Sequence, residues 1–120
     1  MKLRIRGSSV RLRLTQQEVL AVGRGERVEE CVDFAPGERL VYALESSGDV
    51  VSARFRDGQV TVCIPPLLAR EWSASDRVGI EAVQTLVAGV TLRLLIEKDF
   101  ACLTARVGED DKDAFPHPSG

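Results

Sequence analysis

Lys2, Arg4 and Arg6 occupy alternate positions near the start of the chain. Arg11 and Arg13 do the same a few residues on, and Arg54 and Arg56 repeat the spacing in the second half. Alternate residues of an extended strand share a face, so each set is a ladder of cations. Stacked guanidinium groups grip phosphate or carboxylate with paired hydrogen bonds. If they line a barrel, Arg4, Arg6, Arg11, Arg13, Arg54 and Arg56 make an anion site. The plainer reading is a solvated outer face opposite an apolar interior of Leu3, Ile5, Leu12 and Leu14, with the cations spent on Glu29, Glu45 or Glu97. The outer-face reading is preferred, because two short helices cannot cover the whole apolar face if it pointed outward.

Three other constellations carry chemistry. Glu45 and Glu97 fall at matching places in the two halves, and two close carboxylates hold a divalent metal or share a proton. Ion pairs with nearby arginines are the favoured alternative. The run Glu109, Asp110, Asp111 and Asp113 offers oxygen ligands, but Lys112 interrupts it and it lacks the spacing of a calcium loop. Cys102 and His117 have the types of a nucleophile and its base or of part of a zinc site, but Cys102 beside Phe100 and Leu103 reads better as a small buried apolar residue. No role is assigned to Cys31 or Cys63. No phosphate loop, dinucleotide fingerprint or paired-cysteine zinc motif is present, and no cofactor is implied.

The elements that must position these residues follow from period and punctuation. Lys2–Arg6 and Val10–Leu14 alternate charged and apolar residues around Gly7-Ser8-Ser9, a hairpin. Thr15 and Glu18 form a capping box for a short helix through Val19, Leu20 and Val22. Arg27–Phe34 and Arg39–Glu45 read as a second hairpin. After Ser46-Ser-Gly-Asp49, strands marked by Val51–Phe55 and Val60–Ile64 flank Asp57-Gly58, the strongest short hairpin signal. Pro65-Pro66 opens a second helix through Trp72. Val78–Thr85 and Thr91–Glu97 complete the set. A shift of fifty residues lays Leu3–Arg6 on Ala53–Arg56 and Val10–Leu14 on Val60–Ile64. Two extra residues in the last connection bring Leu40, Tyr42 and Leu44 onto Leu92, Leu94 and Ile96.

The chain therefore reads as a duplicated ββαββ domain over residues 1–103, with repeat units at about 2–45 and 52–97, and a tail over 104–120. The expected fold is mainly β (α+β): an antiparallel eight-stranded barrel-like sheet with two short helices, closed or nearly closed, since closure removes exposed strand edges. A two-sheet sandwich is the alternative.

Composition bounds the function. The chain has 120 residues, is 44% hydrophobic and carries a net charge of −2, which argues against nucleic acid and anionic membranes as partners. Its three cysteines, with no apolar leader behind the basic N-terminus, predict reduced thiols and a cytoplasmic setting. No apolar run reaches the roughly 18 residues a membrane helix needs.

The two ends of the chain carry a likeness. Lys2-Leu-Arg-Ile-Arg-Gly7 with Val10-Arg-Leu-Arg-Leu-Thr15, and Ile96-Glu-Lys-Asp-Phe-Ala-Cys-Leu103 with Glu109-Asp-Asp-Lys-Asp-Ala-Phe-Pro116, resemble a family of small uncharacterised bacterial proteins, a domain of unknown function. The resemblance covers nearly the whole chain. It implies a bacterial, single-domain, cytoplasmic protein and carries over no catalytic residue. The architecture is also similar to that of phosphate-processing tunnel enzymes of the CYTH type. Their first strand carries Glu-x-Glu-x-Lys where this chain has Lys2-Leu-Arg-Ile-Arg6, so the metal-binding carboxylates are missing there.

The leading expectation is a non-catalytic binding or interaction module, with a homodimer as one form it can take. The alternative is a barrel that binds a phosphorylated or polyanionic small molecule through the arginine ladder, with a divalent metal at Glu45 and Glu97. Which face of the first and fifth strands points inward decides between them, and strict alternation is symmetric under that exchange.

Overall fold

Cation–apolar alternation makes Lys2–Arg6 (β1) and Ser9–Leu14 (β2) an antiparallel pair, in which Leu3 lies opposite Leu12 and Arg4 opposite Arg11. Leu12 and Leu14 are fully buried while Arg4 and Arg6 are exposed, so the arginines are on the outside. The computed structural model describes residues 1–100. Cys102, the acidic run Glu109, Asp110, Asp111 and Asp113, and His117 lie outside the described residues.

Helix α1 (Gln16–Gly23) starts as its capping box predicts. Thr15 Oγ1 accepts from the Glu18 amide at 3.3 Å, and Glu18 Oε1 accepts from the Thr15 amide at 2.8 Å. Val28–Ala35 (β3) and Glu38–Ser46 (β4) form the second hairpin. Ser52–Arg56 (β5) and Gln59–Ile64 (β6) form the third, around Asp57 (φ 52°) and Gly58 (φ 74°). Both central residues of this turn have positive φ, as a type I′ turn requires. A side chain at position 58 would also meet the Arg39 carbonyl, 2.8 Å from where its Cβ would lie. Helix α2 (Pro66–Ala74) leads to Gly79–Thr85 (β7) and Thr91–Lys98 (β8).

The strands do not close into an antiparallel barrel. They form two four-stranded mixed sheets, one in the order β1-β2-β8-β7 and the other β3-β4-β6-β5. The central joins, β2 with β8 and β4 with β6, are parallel. The reason lies in the helices. Each carries the chain from one sheet to the other, so each hairpin meets a hairpin from the other half. The two inner strands at each join both run toward the helices. The closed barrel on which the likeness to tunnel enzymes rested is therefore not formed.

The element order and sheet order are related. Replacing β1, β2, β8 and β7 by their counterparts in the other half gives β5, β6, β4 and β3, which is the second sheet. The inward faces pack together as one core of Leu12, Leu14, Leu44, Val62, Ile64, Ile80, Leu94 and Ile96. Val19 and Val22 of α1 and Ala69 and Trp72 of α2 plug one end of it. No described helix is long and apolar enough to cross a membrane.

The helices cross at Gly23 and Ser73, which lie fifty residues apart. A Cβ at position 23 would collide with Ser73 Oγ and lie 2.5 Å from Ser73 Cβ, so only glycine permits the approach. Gly23→Ala is expected to lower stability by about 1–3 kcal/mol through overpacking, although alanine is the better helix former by about 1 kcal/mol. Ser73→Gly in the same chain should restore most of the loss. Urea titrations of the single and double variants measure both effects.

Different contacts close the two gaps between sheets. At β5 and β7, the Gln84 amide pairs with Ala53, accepting from its N–H at 2.8 Å and donating to its carbonyl at 3.3 Å. Near β1 and β3, the Met1 ammonium lies 2.7 Å from Glu18 and also contacts Glu30, and the Tyr42 hydroxyl donates to the Met1 carbonyl at 3.2 Å.

Candidate anion-binding face

The outer face of the first sheet gathers cations from three strands. Antiparallel pairing sets Lys2 beside Arg13, Arg4 beside Arg11 and Arg6 beside Ser9. The parallel join then sets Arg93 beside Ser9, Leu95 beside Arg11 and Glu97 beside Arg13. Part of this charge is neutralised locally. Arg11 donates to Glu97 Oε1 through Nε and Nη2, both at 2.7 Å, and Arg13 Nε lies 3.5 Å from the same oxygen. Lys2 Nζ is 3.3 Å from Asp99.

Arg4, Arg6 and Arg93 remain. None of them has a carboxylate within ion-pairing distance among the described residues. With Arg11, Ser9 and Leu95 they line a depression of about 190 Å³. The Ser9 hydroxyl donates to the Arg6 carbonyl at 2.7 Å. Four guanidinium groups around one small concavity have fork geometry suited to phosphate oxygens. Glu97 holds Arg11 in place beside them.

The second sheet has a counterpart, differently balanced. Arg54 lies opposite Thr61, Arg56 opposite Gln59, and Glu45 beside Cys63. Arg27 and Asp57 join Arg54, Arg56, Gln59 and Thr61 around a cavity of about 240 Å³. Here carboxylates occupy Arg27 and Arg54, and Arg56 alone of the three lacks an ion pair among the described residues. Arg27 donates to Glu29 at 2.8 Å and to Glu45 at 2.5 Å, and Arg54 Nη2 lies 3.8 Å from Glu45. Arg54 Nη1 also donates to Cys63 Sγ at 3.4 Å.

The Ser47 hydroxyl donates to Glu45 at 2.9 Å and, with the Arg27 guanidinium, holds its carboxyl below the usual value of 4.5 against the opposing effect of burial. Because folding lowers this pKa, Glu45 contributes stability that is present above pH 4.5 and lost as the pH falls through the lower folded value. Glu45→Gln is therefore expected to flatten the fall of melting temperature below that pH. Thermal melts of both proteins across the acid range check it.

The six arginines therefore do not converge. Arg4, Arg6, Arg11 and Arg13 share the face of one sheet, and Arg54 and Arg56 lie on the other. Glu45 and Glu97 are likewise on different sheets, each engaged by arginine. Among the described residues no group of three or more His, Cys, Asp and Glu side chains stands ready for a metal. Cys31 is exposed and Cys63 buried, both as free thiols. Arg93 is not part of any ladder of alternating cations, so spacing alone does not single it out. Its direction is legible, because it alternates with Leu92 and Leu94 and so points outward. What alternation lacks is the parallel register that puts it beside Ser9.

No curated protein and no solved structure matches the chain. A family model does, over residues 1–119, and bears out the resemblance at the two ends to a domain of unknown function. With nearly its whole length covered, the chain belongs to a family of unknown function, DUF7009.

Proposed function

We propose that this protein is a non-catalytic binding module for phosphate-bearing polyanions, and that the outer face of the first sheet is its binding surface. The observation that carries the proposal is the set Arg4, Arg6 and Arg93, gathered in one depression without a carboxylate partner among the described residues. Like charges held this close repel one another, and an anion that removes the repulsion is bound favourably. The lining supports binding without reaction. Arginine stays protonated at any ordinary pH and transfers no proton. Among the described residues that line the depression, none is a base that would activate Ser9. Leu95 gives the ligand a small apolar shelf.

We also infer that the two halves arose by duplication. The exchange of the two sheets between halves and the helix crossing at residues fifty apart support this reading. The halves have since diverged at the site, since Arg11 and Arg13 of the first correspond to Thr61 and Cys63 of the second. Free thiols at Cys31 and Cys63 support a reducing, cytoplasmic setting.

Calorimetric titration with tripolyphosphate tests the function. The expected result is saturable binding that weakens steeply as salt is added. Absence of binding at low ionic strength would refute it.

A further inference from the structure

Both helices lie at one end of the two sheets, and among the described residues no helix covers the opposite end. Around that opening the inward faces of the strands stay apolar but lose their cover. Ile5 is 59% exposed, Phe55 71% and Phe34 69%, and Val87 in the loop after β7 is 70% exposed. Ile5 pairs with Val10 and Phe55 with Val60, one rung beyond the buried Leu12 and Val62. The loop between β7 and β8 adds Leu86 and Val90, half exposed, where a turn would ordinarily be polar. Exposed apolar side chains grouped this way mark an interaction surface.

The two lips of the opening differ in charge. The lip from the first sheet, residues 6–10 and 85–93, carries Arg6 and Arg93 and no carboxylate. The lip from the second sheet carries Asp33, Glu38 and Asp57 against Arg39 and Arg56, and Arg39 is already tied to Asp33 at 2.6 Å. One lip is positive and the other is net negative. A lipid surface with anionic headgroups would be repelled by Glu38 and Asp57. A second copy has the complement of each lip.

We propose that two copies of this chain associate mouth to mouth about a two-fold axis, with the first-sheet lip of each copy against the second-sheet lip of the other. The contact is isologous, so every pairing occurs twice. Phe55, Phe34, Ile5 and Val87 form its apolar centre, and the charged lips fix which way round the copies meet. Its apolar centre lies apart from the outer face of the first sheet, although Arg6 and Arg93 belong to both surfaces, so Phe55→Asp and Val87→Asp test the dimer without touching the polyanion site.

Sedimentation velocity of the full chain over a range of concentrations tests it. The expected result is a concentration-dependent dimer. Phe55→Asp and Val87→Asp should each weaken it by roughly tenfold or more, with the melting temperature of the monomer unchanged because both residues are exposed. Arg6→Glu and Glu38→Arg should each weaken self-association, since each sets like charges across the contact. An equimolar mixture of those two variants should recover dimers, because each then supplies the complement of the other. A monomer at every concentration would overturn the proposal, as would a dimer indifferent to Phe55→Asp and Val87→Asp. Failure of the mixture to recover would also overturn it, as would a monomer that sediments with anionic vesicles. The same holds if Phe55→Asp lowers the melting temperature of a monomer, which would place the chain's own residues over the opening.

Discussion

Replacing Trp72 with alanine is expected to lower the unfolding free energy by about 3–5 kcal/mol. Trp72 is completely buried on α2 and packs into the same core as both sheets and α1. Its removal leaves a cavity at the plugged end, where the helix crossing at Gly23 and Ser73 resists collapse. It also deprives the Val78 carbonyl of the indole N–H that donates to it at 3.2 Å. Domains of this size are held by about 5–15 kcal/mol in all, so the variant should be near unfolding at physiological temperature. Urea denaturation followed by circular dichroism measures the change. A loss below about 1 kcal/mol would mean that the helices are a detachable cover and not part of the core.

Reversing charge at the candidate site should have a large effect of a different kind. Arg6→Glu with Arg93→Glu removes two of the three unpaired guanidinium groups around Ser9. A hydrogen bond to a charged group contributes about 1.5–3 kcal/mol. Two lost together predict a fall in tripolyphosphate affinity of roughly 100-fold or more, before repulsion from the new carboxylates is counted. Stability should move by no more than about 0.5 kcal/mol, because both side chains are exposed and their mutual repulsion is relieved. The same pair of changes at Arg54 and Arg56 should weaken binding far less, because Glu45 and Glu29 already engage Arg27 and Arg54 and leave a single unpaired guanidinium, Arg56, at that cavity. Calorimetry on the three proteins at one salt concentration separates these outcomes. Equal loss from both pairs would show a diffuse electrostatic attraction and no site.

Local structure could be read from residues because local causes produce it. Thr15 and Glu18 cap a helix wherever they sit three apart before an apolar stripe. Asp57-Gly58 bends the chain because few other residues tolerate two successive positive φ angles. All eight strands and both helices follow from such signals. Their assembly does not. Whether β2 meets β3 or β8 depends on where α1 delivers the chain, and that is decided by packing between residues such as Gly23 and Ser73. Alternation is blind to it, so antiparallel closure was the natural expectation and the parallel joins were missed. The site shows the same division. Arg4, Arg6 and Arg11 stood out by spacing alone. Arg93 joined them only through a register spanning most of the chain. Net charge has the same blindness, because −2 is a sum over the whole chain and does not say how charge divides between the faces of the two sheets.

Amide chemical shifts of the labelled protein, recorded as tripolyphosphate is added, test the central claim most directly. Progressive, saturable shifts at Arg4, Arg6, Ser9, Arg11 and Arg93, with little change around Arg54, Arg56 and the helices, are the expected result. Shifts centred on the second sheet or spread over all exposed arginines alike would contradict it.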